Sequence, residues 1–394
     1  MSVEVISFGC RLNLAEGEAI RARMAGEDDL IVINSCAVTS EAERQARQAI
    51  RRAAKRRPGA RIVVTGCAAE TNPSAFAAMP EVTALLGNRE KRGDQIKPAV
   101  SGIGHARAFI EVQNGCDHRC TFCIIPFGRG DSRSIPAGAV IDAVQAAVDR
   151  GQQEVVLTGV DLTSYGPDLP GNPTLASLVE RILKYVPDLP RLRLSSLDSI
   201  EIDAQLADII TGEPRIMPYV HLSLQSGDDM ILKRMKRRHT RAESVALVSR
   251  LKKLRPDIAI GADIIAGFPT ENAAMFENTL ELLDDCDIVF AHVFPFSPRP
   301  GTPAARMPQL DRALVKDRAE QLRLATATRK AHWLNSLIGS QQRVLVELDG
   351  KHGHAPNFAS VALEQRLTGG NMRGTMINAL ITGSDGQVLT GIAS

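Results

Sequence analysis

Apolar and polar positions alternate with two periods along the first part of the chain. Short apolar runs of strand length recur there, and the stretches between them carry apolar residues at the spacing of an amphipathic helix. Strands that alternate with helices indicate a parallel sheet with helices packed on it. We therefore predict a doubly wound α/β domain over residues 1–95. The predicted strands are 3–8, 30–34 and 61–65, and the predicted helices are 14–25 and 40–57.

The same alternation continues from residue 104 to residue 325. About six strand–helix units fit this segment, which is too few for a closed eight-stranded barrel. We therefore expect an open (β/α)6 barrel over 104–325, with its chemistry at the carboxyl ends of the strands. The predicted strands are 107–113, 154–158, 191–196, 219–224, 258–264 and 288–294.

The last part of the chain changes to short alternating strands separated by Gly and Asn turns. This pattern predicts a small all-β barrel over residues 338–394. Residues 87–104, which are rich in Gly and Lys, read as a linker between the first two domains. The predicted fold class is thus α/β, with a doubly wound N-terminal domain, a central open barrel and a small C-terminal β-barrel.

Composition narrows the class of protein. The chain has 394 residues, of which 44% are hydrophobic and 23% charged, so it can bury the cores of two or three domains. The net charge of +2 indicates no partner by itself. We expect no membrane span and no signal peptide, since no apolar run is long enough and the first residues lack a basic segment. The seven cysteines then indicate thiols or metal ligands in a reducing cytoplasm rather than disulfides.

Three of these cysteines, Cys116, Cys120 and Cys123, have the spacing C-x3-C-x2-C in one short loop. Such a loop can place three thiolates around one corner of a [4Fe–4S] cluster, which usually has four cysteine ligands. The fourth iron would keep open positions, which S-adenosylmethionine can fill with its amino and carboxylate groups. Phe122 would then offer an apolar face near the adenine.

Two other interpretations of this loop stay open. Zinc normally takes four ligands, and His118 could be the fourth, although its place inside the loop makes a tetrahedron awkward. Disulfides are disfavoured by the lack of export signals.

Three more cysteines each follow a predicted strand: Cys10, Cys36 and Cys67. The carboxyl ends of parallel strands converge on one crevice, so these thiols are placed to share a second metal site. The alternative is three unrelated buried cysteines, because free cysteine is often buried. Cys286 has no motif around it, and we predict that it is a core residue.

Two basic segments, 40–57 and 233–241, are candidates for contact with phosphates. The alternative for each is an ordinary solvated surface.

Taken together, these motifs resemble those of the methylthiotransferase family of radical S-adenosylmethionine enzymes, over essentially the whole chain. The resemblance implies that Cys116, Cys120 and Cys123 hold the cluster that binds S-adenosylmethionine. It implies that the strand-end cysteines hold an auxiliary cluster. The segment Gly353-His-Ala-Pro-Asn-Phe358 is similar to part of the RNA-binding TRAM domain.

The family has three main branches. Two act on tRNA adenosine 37 that carries either an isopentenyl or a threonylcarbamoyl group, and one acts on an aspartate of a ribosomal protein. Residues 8–16, 157–162 and 193–196 look most like the threonylcarbamoyladenosine branch, and 297–302 resembles both tRNA branches.

The resemblance implies two [4Fe–4S] clusters and S-adenosylmethionine as cofactors, with replacement of the adenosine C2–H by a methylthio group. It implies the tRNA anticodon stem-loop and a low-potential electron donor such as flavodoxin as partners, and we expect a cytoplasmic monomer. Residues at the ends of barrel strands are candidates for binding the cofactor, together with Phe122: Gly159, Asp161, Ser196 and Gln225.

The threonylcarbamoyl group carries a carboxylate, so its pocket needs hydrogen-bond donors and a cation. Arg193 and Arg299 lie on or just past barrel strands, and arginine suits bidentate binding of a carboxylate. The alternative is that both arginines brace loops through internal ion pairs. Alternative functions are methylthiolation of isopentenyladenosine or of a ribosomal-protein aspartate, and a non-catalytic iron–sulfur protein that binds RNA or senses redox state.

Overall fold

A parallel sheet of four strands, in the order β1-β2-β3-β4, forms the N-terminal part of the computed structural model. The structure describes residues 3–88, 90–91, 98–101, 106–364 and 373–393. Much of the predicted linker 87–104, together with the predicted domain limits at residues 95 and 104, lies outside these residues. The N-terminal elements are β1 Glu4–Ser7, α1 Arg11–Arg23, β2 Leu30–Ser35, α2 Ser40–Arg56, β3 Arg61–Gly66, α3 Cys67–Thr71, α4 Pro73–Ala77 and β4 Ala84–Leu85.

Alternate residues of β2 face opposite sides of this sheet, as the period of a strand requires. Leu30 and Val32 pack with Ile20 of α1, whereas Ile31 and Ile33 pack with the alanine and isoleucine stripe of α2. Helices therefore cover both faces, and the doubly wound prediction is confirmed. Such two-sided burial explains why all six residues of β2 are buried.

The central elements form the expected open barrel. Its six barrel strands (β6, β9, β10, β11, β12 and β13) are all parallel and belong to two sheets, β10-β9-β6-β5 and β11-β12-β13. Two parallel bridges, Leu192–Ile216 and Leu197–Leu222, join the sheets. The elements are β5 Val100–Ser101, β6 Ala108–Glu111, β7 Gln113–Asn114, α5 Ile125–Arg129, β8 Arg133–Ser134, α6 Ala137–Asp149, β9 Val155–Thr158, α7 Leu175–Tyr185, β10 Leu192–Leu194, α8 Ala204–Gly212, β11 Tyr219–Gln225, α9 Asp229–Met235, α10 Arg241–Leu254, β12 Ala259–Ala266, α11 Ala273–Asp285 and β13 Ile288–Pro295.

The barrel strands also alternate between two faces. Leu222 and Ile264 point outward into the core beneath the helices. The intervening residues point inward, and we call the space that they surround the lumen. Cys286 is fully buried in the outer core, as predicted.

The long helix α12 (Arg312–Ser336) leads to a closed barrel of five strands in the order β14-β15-β16-β18-β17. The predicted small C-terminal β-barrel is therefore confirmed. The helices in the described part of the chain include none with the length and apolarity needed to cross a membrane. The C-terminal strands are β14 Gln341–Val346, β15 His352–His354, β16 Ser360–Leu363, β17 Met376–Ser384 and β18 Leu389–Ala393.

One buried carboxylate, Glu154, lies where the central barrel meets the C-terminal barrel. Its Oε1 atom accepts a hydrogen bond from Arg193 Nε at 2.8 Å and lies 3.3 Å from Arg107 Nε. Arg191 Nη1 lies 3.7 Å from the other oxygen. Burial disfavours the charge on Glu154, but the guanidinium groups of Arg193 and Arg107 outweigh burial and lower its pKa to about 2.

We predict that Glu154→Gln lowers the free energy of unfolding by about 3 kcal/mol at pH 7, because it leaves three buried guanidinium groups without their shared carboxylate. The unfolded carboxyl has an ordinary pKa of 4.5, so the contribution of the charged form is complete above that pH and fades as the pH falls toward 2. Urea denaturation should show that the difference in free energy of unfolding between wild type and Glu154→Gln is smaller at pH 3.5 than at pH 7. The exposed pair of Asp208 with Arg250 offers a control, since Asp208→Asn should cost less than about 1 kcal/mol. The account would be contradicted if this difference did not change with pH, or if it were no larger at pH 7 than the loss caused by Asp208→Asn.

Candidate metal and substrate site

The first cysteine trio lies in the loop that follows β7, at the carboxyl end of β6. Gly115 begins the loop with φ +76°, and a Cβ atom there would lie 1.9 Å from the backbone oxygen of Asp131, so only glycine fits. Backbone hydrogen bonds from Cys116 N to Gly130 O (3.1 Å) and from Thr121 N to Met235 O (3.0 Å) hold the loop against its surroundings. Contacts with α9 and with the segment before β8 therefore position the loop.

The thiols of this trio lie close enough to influence one another. Burial raises the pKa of the Cys123 thiol to about 12, and the neighbouring Cys120 adds to the shift. Burial and then the charge of Asp161 raise the pKa of Cys116, with Cys123 contributing further. A metal that binds Cys116 and Cys123 must therefore displace their thiol protons.

His118, the candidate fourth zinc ligand, is held by carboxylates instead. Its Nε2 atom lies 3.0 Å from Asp161 and 3.4 Å from Glu201. Hydrogen bonds to these two groups raise the pKa of His118 to about 10. A zinc ligand must be a neutral imidazole, so this arrangement favours three cysteine ligands over a zinc site.

The second trio lies at the carboxyl ends of three adjacent parallel strands. Cys10 follows β1, Cys36 follows β2 and Cys67 follows β3. A Cβ atom on Gly9 would lie 2.7 Å from Cys36 Sγ, so the turn before Cys10 passes directly over Cys36. Burial raises the pKa of Cys36 to about 11, and the neighbouring Cys67 and Cys10 thiols contribute. The structure thus brings all three together, with Cys10 exposed and the other two buried.

The two trios adjoin across the boundary between the N-terminal sheet and the barrel. Helix α5 begins two residues after Cys123 and packs on α3, which begins with Cys67. A Cβ atom on Gly128 of α5 would lie only 3.1 Å from Cys67 Cβ, so the missing side chain permits this close approach. Cys67 is also near enough to Cys123 to contribute to its raised pKa.

Two buried cations lie beside the second trio, and the sequence patterns did not reveal them. Arg129 of α5 donates from Nη1 to Glu16 Oε1 at 2.8 Å, and Lys91 Nζ donates to Glu16 Oε2 at 2.7 Å. Burial opposes the charge of Arg129, but Cys67 and Glu16 outweigh it and raise its pKa well above the ordinary value. Buried cations offset the charge of nearby thiolates, so the donor set and its surroundings fit an iron–sulfur cluster.

A cleft between the N-terminal part and the barrel reaches Phe122, in the loop that carries the first trio. It encloses about 190 Å³, and Val38 and Thr39, which follow Cys36, line one side. Phe122 and Gln225 line the barrel side, so the structure brings together two of the residues predicted to bind the cofactor. Its lining is completed by Asp263, Ile265, Phe294, Pro295, Phe296 and Ser297.

Asp263 is a candidate functional residue that was not predicted from the sequence. Its Oδ1 atom lies 3.0 Å from His221 Nε2 and 3.1 Å from His292 Nδ1, so three neighbouring strands converge on one carboxylate. A signal was present, since Asp263 interrupts the apolar run of β12 and must face the lumen. The strong hydrogen bonds to both histidines outweigh burial and lower the pKa of Asp263.

The other residues predicted to bind the cofactor fall at different places. Asp161 lies by the cluster loop, with Oδ2 3.4 Å from Cys116 Sγ. Gly159 is next to it, where a Cβ atom would lie 3.0 Å from Gln113 Oε1. Ser196 is exposed. The roles of these three residues stay predictions.

The two arginines predicted to bind substrate are engaged elsewhere. Arg193 donates to Glu154 and to the backbone oxygens of Ala355 and Pro356 at 2.8–3.0 Å, so it braces the C-terminal barrel. Arg299 donates to Glu43 at 2.6 Å and to Ser40 at 3.2 Å, which ties the N-terminal helix α2 to the barrel. These contacts correspond to the alternative of internal ion pairs.

Both basic segments combine paired cations with exposed cations that form no ion pair among the described residues. In segment 233–241, Arg237 and Arg238 both pair with Asp198, and Arg241 pairs with Glu281 and Asp285. Lys233 and Lys236 of this segment are exposed and form no ion pair among the described residues, and on α2 the same holds for three exposed cations: Arg51, Arg52 and Lys55.

Two family models match the chain. The radical SAM superfamily matches residues 110–283, which contain the first trio. A family described as the uncharacterized protein family UPF0004 matches residues 2–87, which contain the second trio.

Relatives match over nearly the whole chain. The threonylcarbamoyladenosine tRNA methylthiotransferase MtaB of Rickettsia prowazekii is 48% identical over 94% of this chain and 93% of its own. The protein of the same name from Aquifex aeolicus is 34% identical over 88% and 93%. A tRNA-2-methylthio-N(6)-dimethylallyladenosine synthase of Erythrobacter litoralis is 32% identical over 99% and 98%.

Among solved structures, the radical S-adenosylmethionine methyltransferase TsrM of Kitasatospora setae has a similar fold, with a TM-score of 0.54 over 77% of each chain at 15% identity. Fold and cysteine sites together define a radical S-adenosylmethionine enzyme. The chain belongs to the tRNA methylthiotransferase family of these enzymes. This family uses S-adenosylmethionine and two [4Fe–4S] clusters, so the predictions of family, enzyme class and cofactors are confirmed.

We predict that each trio holds one cluster independently. Cys120→Ala and Cys36→Ala should each bind about half of the wild-type iron after anaerobic reconstitution, because each removes one of two equal sites. Cys120→Ala should also abolish cleavage of S-adenosylmethionine, whereas Cys36→Ala should still cleave it. Cys286→Ala is the matched control and should bind as much iron as wild type. Full iron content in Cys36→Ala would refute the second site.

Proposed function

We propose that this enzyme converts N6-threonylcarbamoyladenosine at position 37 of tRNA into its 2-methylthio derivative. The adjacency of the two cysteine trios at an interdomain cleft is the observation that carries the proposal, because sulfur insertion needs a sulfur source beside the site of radical formation. The names of the relatives from Rickettsia prowazekii and Aquifex aeolicus support the threonylcarbamoyl substrate.

The residues around the cleft have separate roles in this proposal. Phe122 and Gln225 line the cleft and bind S-adenosylmethionine there, and Cys116, Cys120 and Cys123 hold the first cluster in the same loop as Phe122. When bound, the first cluster would pass on the electron that cleaves one S-adenosylmethionine, the second cluster would present the sulfur, and a second S-adenosylmethionine would donate the methyl group. The protein positions these groups and excludes competing reactions. Val38 and Thr39 close the cleft from the side of the second trio.

Partners follow from the same chemistry. Reductive cleavage of S-adenosylmethionine needs a low-potential electron donor, for which a flavodoxin is our proposal. We place the enzyme in the cytoplasm as a monomer, where its thiols stay reduced and its tRNA substrate is present. The division into 1–95, 104–325 and 338–394 stays part of the proposal.

The substrate assignment predicts a clear order of rates. Anaerobic assays should compare three anticodon stem-loops that carry adenosine, isopentenyladenosine or threonylcarbamoyladenosine at position 37. A site built for polar groups rejects analogues that lack them, by roughly 10^4 in the best cases. We therefore expect methylthio product from the third stem-loop and little from the first two.

The same assay separates the alternative functions. A higher rate on isopentenyladenosine would reject the assignment within the family, and a mass gain on a ribosomal protein alone would reject tRNA as substrate. A non-catalytic protein would form no 5′-deoxyadenosine under reduction.

We predict that exposed cations on helix α2 bind phosphate groups of the tRNA. Arg51, Arg52 and Lys55 are exposed without an ion pair in the described chain. Their joint replacement by Gln should weaken binding of the stem-loop and reduce the slope of log K against log salt by about 2, at roughly 0.7 per phosphate contact. Arg44→Gln on the same helix is the control, because Glu41 already pairs with Arg44 at 2.7 Å. Equal affinity and salt slope for all variants would identify α2 as ordinary solvated surface.

A further inference from the structure

The substrate proposed above carries a carboxylate, and the two arginines expected to bind it are committed to internal contacts. The lumen nevertheless holds more positive than negative charge near its junction with the C-terminal barrel. Arg107, Arg191 and Arg193 surround Glu154. One more carboxylate, Glu347, pairs with Arg107 at 2.5 Å.

A fourth guanidinium group, that of Arg11, reaches into the same region from the N-terminal part. Arg107, Arg193 and Glu154 all lie within electrostatic range of its charge. Four cations there face the two carboxylates just described. Among the described residues, Arg11 has no hydrogen bond or ion pair of its own. A buried region with surplus positive charge and unused donors suits an anionic ligand.

Aromatic rings hold the Arg11 side chain in place. Its Cζ atom lies 5.7 Å from the ring centre of Phe109 on β6 and 5.4 Å from that of Phe358. Phe358 is itself fixed by stacking on Tyr219, with ring centres 5.0 Å apart. Cation–π contacts occupy the face of a guanidinium and leave its edge N–H groups available for a bidentate hydrogen bond.

The position of Arg11 also links the positively charged part of the lumen to the second cysteine trio. It is the first residue of α1 and directly follows Cys10, the exposed member of the second trio. Its side chain is partly exposed, so a ligand can reach it. A base whose C2 atom is presented to the second trio would therefore have its N6 substituent inside the reach of lumen residues.

We propose that Arg11 determines substrate specificity by binding the carboxylate of the threonylcarbamoyl group. This inference rests on the proposed function and adds the residue that recognises the threonylcarbamoyl group. The aromatic rings of Phe109 and Phe358 hold the guanidinium, and the surplus positive charge of the lumen favours the anion.

The test is a binding measurement on the anaerobically reconstituted protein with S-adenosylmethionine. Fluorescence anisotropy gives the Kd of stem-loops that carry threonylcarbamoyladenosine, its methyl ester or unmodified adenosine at position 37. Wild type should bind the free acid about tenfold to a hundredfold more tightly than the ester, as expected for a charge-assisted bidentate contact. Arg11→Gln should bind acid and ester equally and keep the wild-type Kd for unmodified adenosine.

Two further variants complete the test. Arg21→Gln changes an exposed arginine on the same helix, and it should keep the full preference for the acid. Arg11→Lys keeps the charge but loses the planar guanidinium that can donate two parallel hydrogen bonds, so it should keep part of the preference for the acid over the ester. The iron content of each variant should equal that of wild type, which shows that the neighbouring Cys10 still binds its cluster.

The outcomes distinguish this inference from the function on which it rests. Retention of the acid preference in Arg11→Gln overturns the inference, and so does a wild-type enzyme that methylthiolates the substrate but binds acid and ester equally. Under either of these two outcomes, Arg11 serves only to pack against Phe109 and Phe358. A wild-type enzyme that does not methylthiolate threonylcarbamoyladenosine overturns the proposed function itself.

Discussion

A buried ion pair across the boundary between the N-terminal sheet and the barrel determines how the rest of the site is arranged. Arg129, from the helix just after the first cysteine trio, reaches Glu16 on α1 at 2.8 Å, and Lys91 meets the same carboxylate at 2.7 Å. Asn13 and Asn114 accept further hydrogen bonds from Arg129. An unpaired charge in this position would cost several kcal/mol, roughly 3–5, so alternative dockings of the two parts are strongly disfavoured.

This docking explains why neither part contains a complete site. The barrel supplies one trio and most of the cleft, and the N-terminal sheet supplies the other trio and the residues that close the cleft. The close approach of Gly128 to Cys67 and the contact between Arg299 and Glu43 fix the same relative position at two other points. Three separate contacts therefore hold the two cysteine trios side by side.

The elements of the fold and both cysteine sets could be predicted from the sequence, because strand periodicity and cysteine spacing are local signals. The six barrel strands follow from apolar runs, and Cys10, Cys36 and Cys67 follow from their shared place after strands. What the sequence could not reveal is which polar side chains meet. Arg193 looked like a residue that binds substrate, but it braces Ala355 and Pro356, which lie more than 160 residues away. Such pairings depend on tertiary contacts that no local pattern encodes.

The central claim is that the two clusters lie close together in one site. Electron paramagnetic resonance of the reduced protein tests this claim most directly, since two paramagnetic clusters in proximity interact through space. The fully loaded enzyme should give a broadened spectrum that differs from the sum of the spectra of Cys36→Ala and Cys120→Ala, each of which carries one cluster. A spectrum equal to that sum would contradict the account.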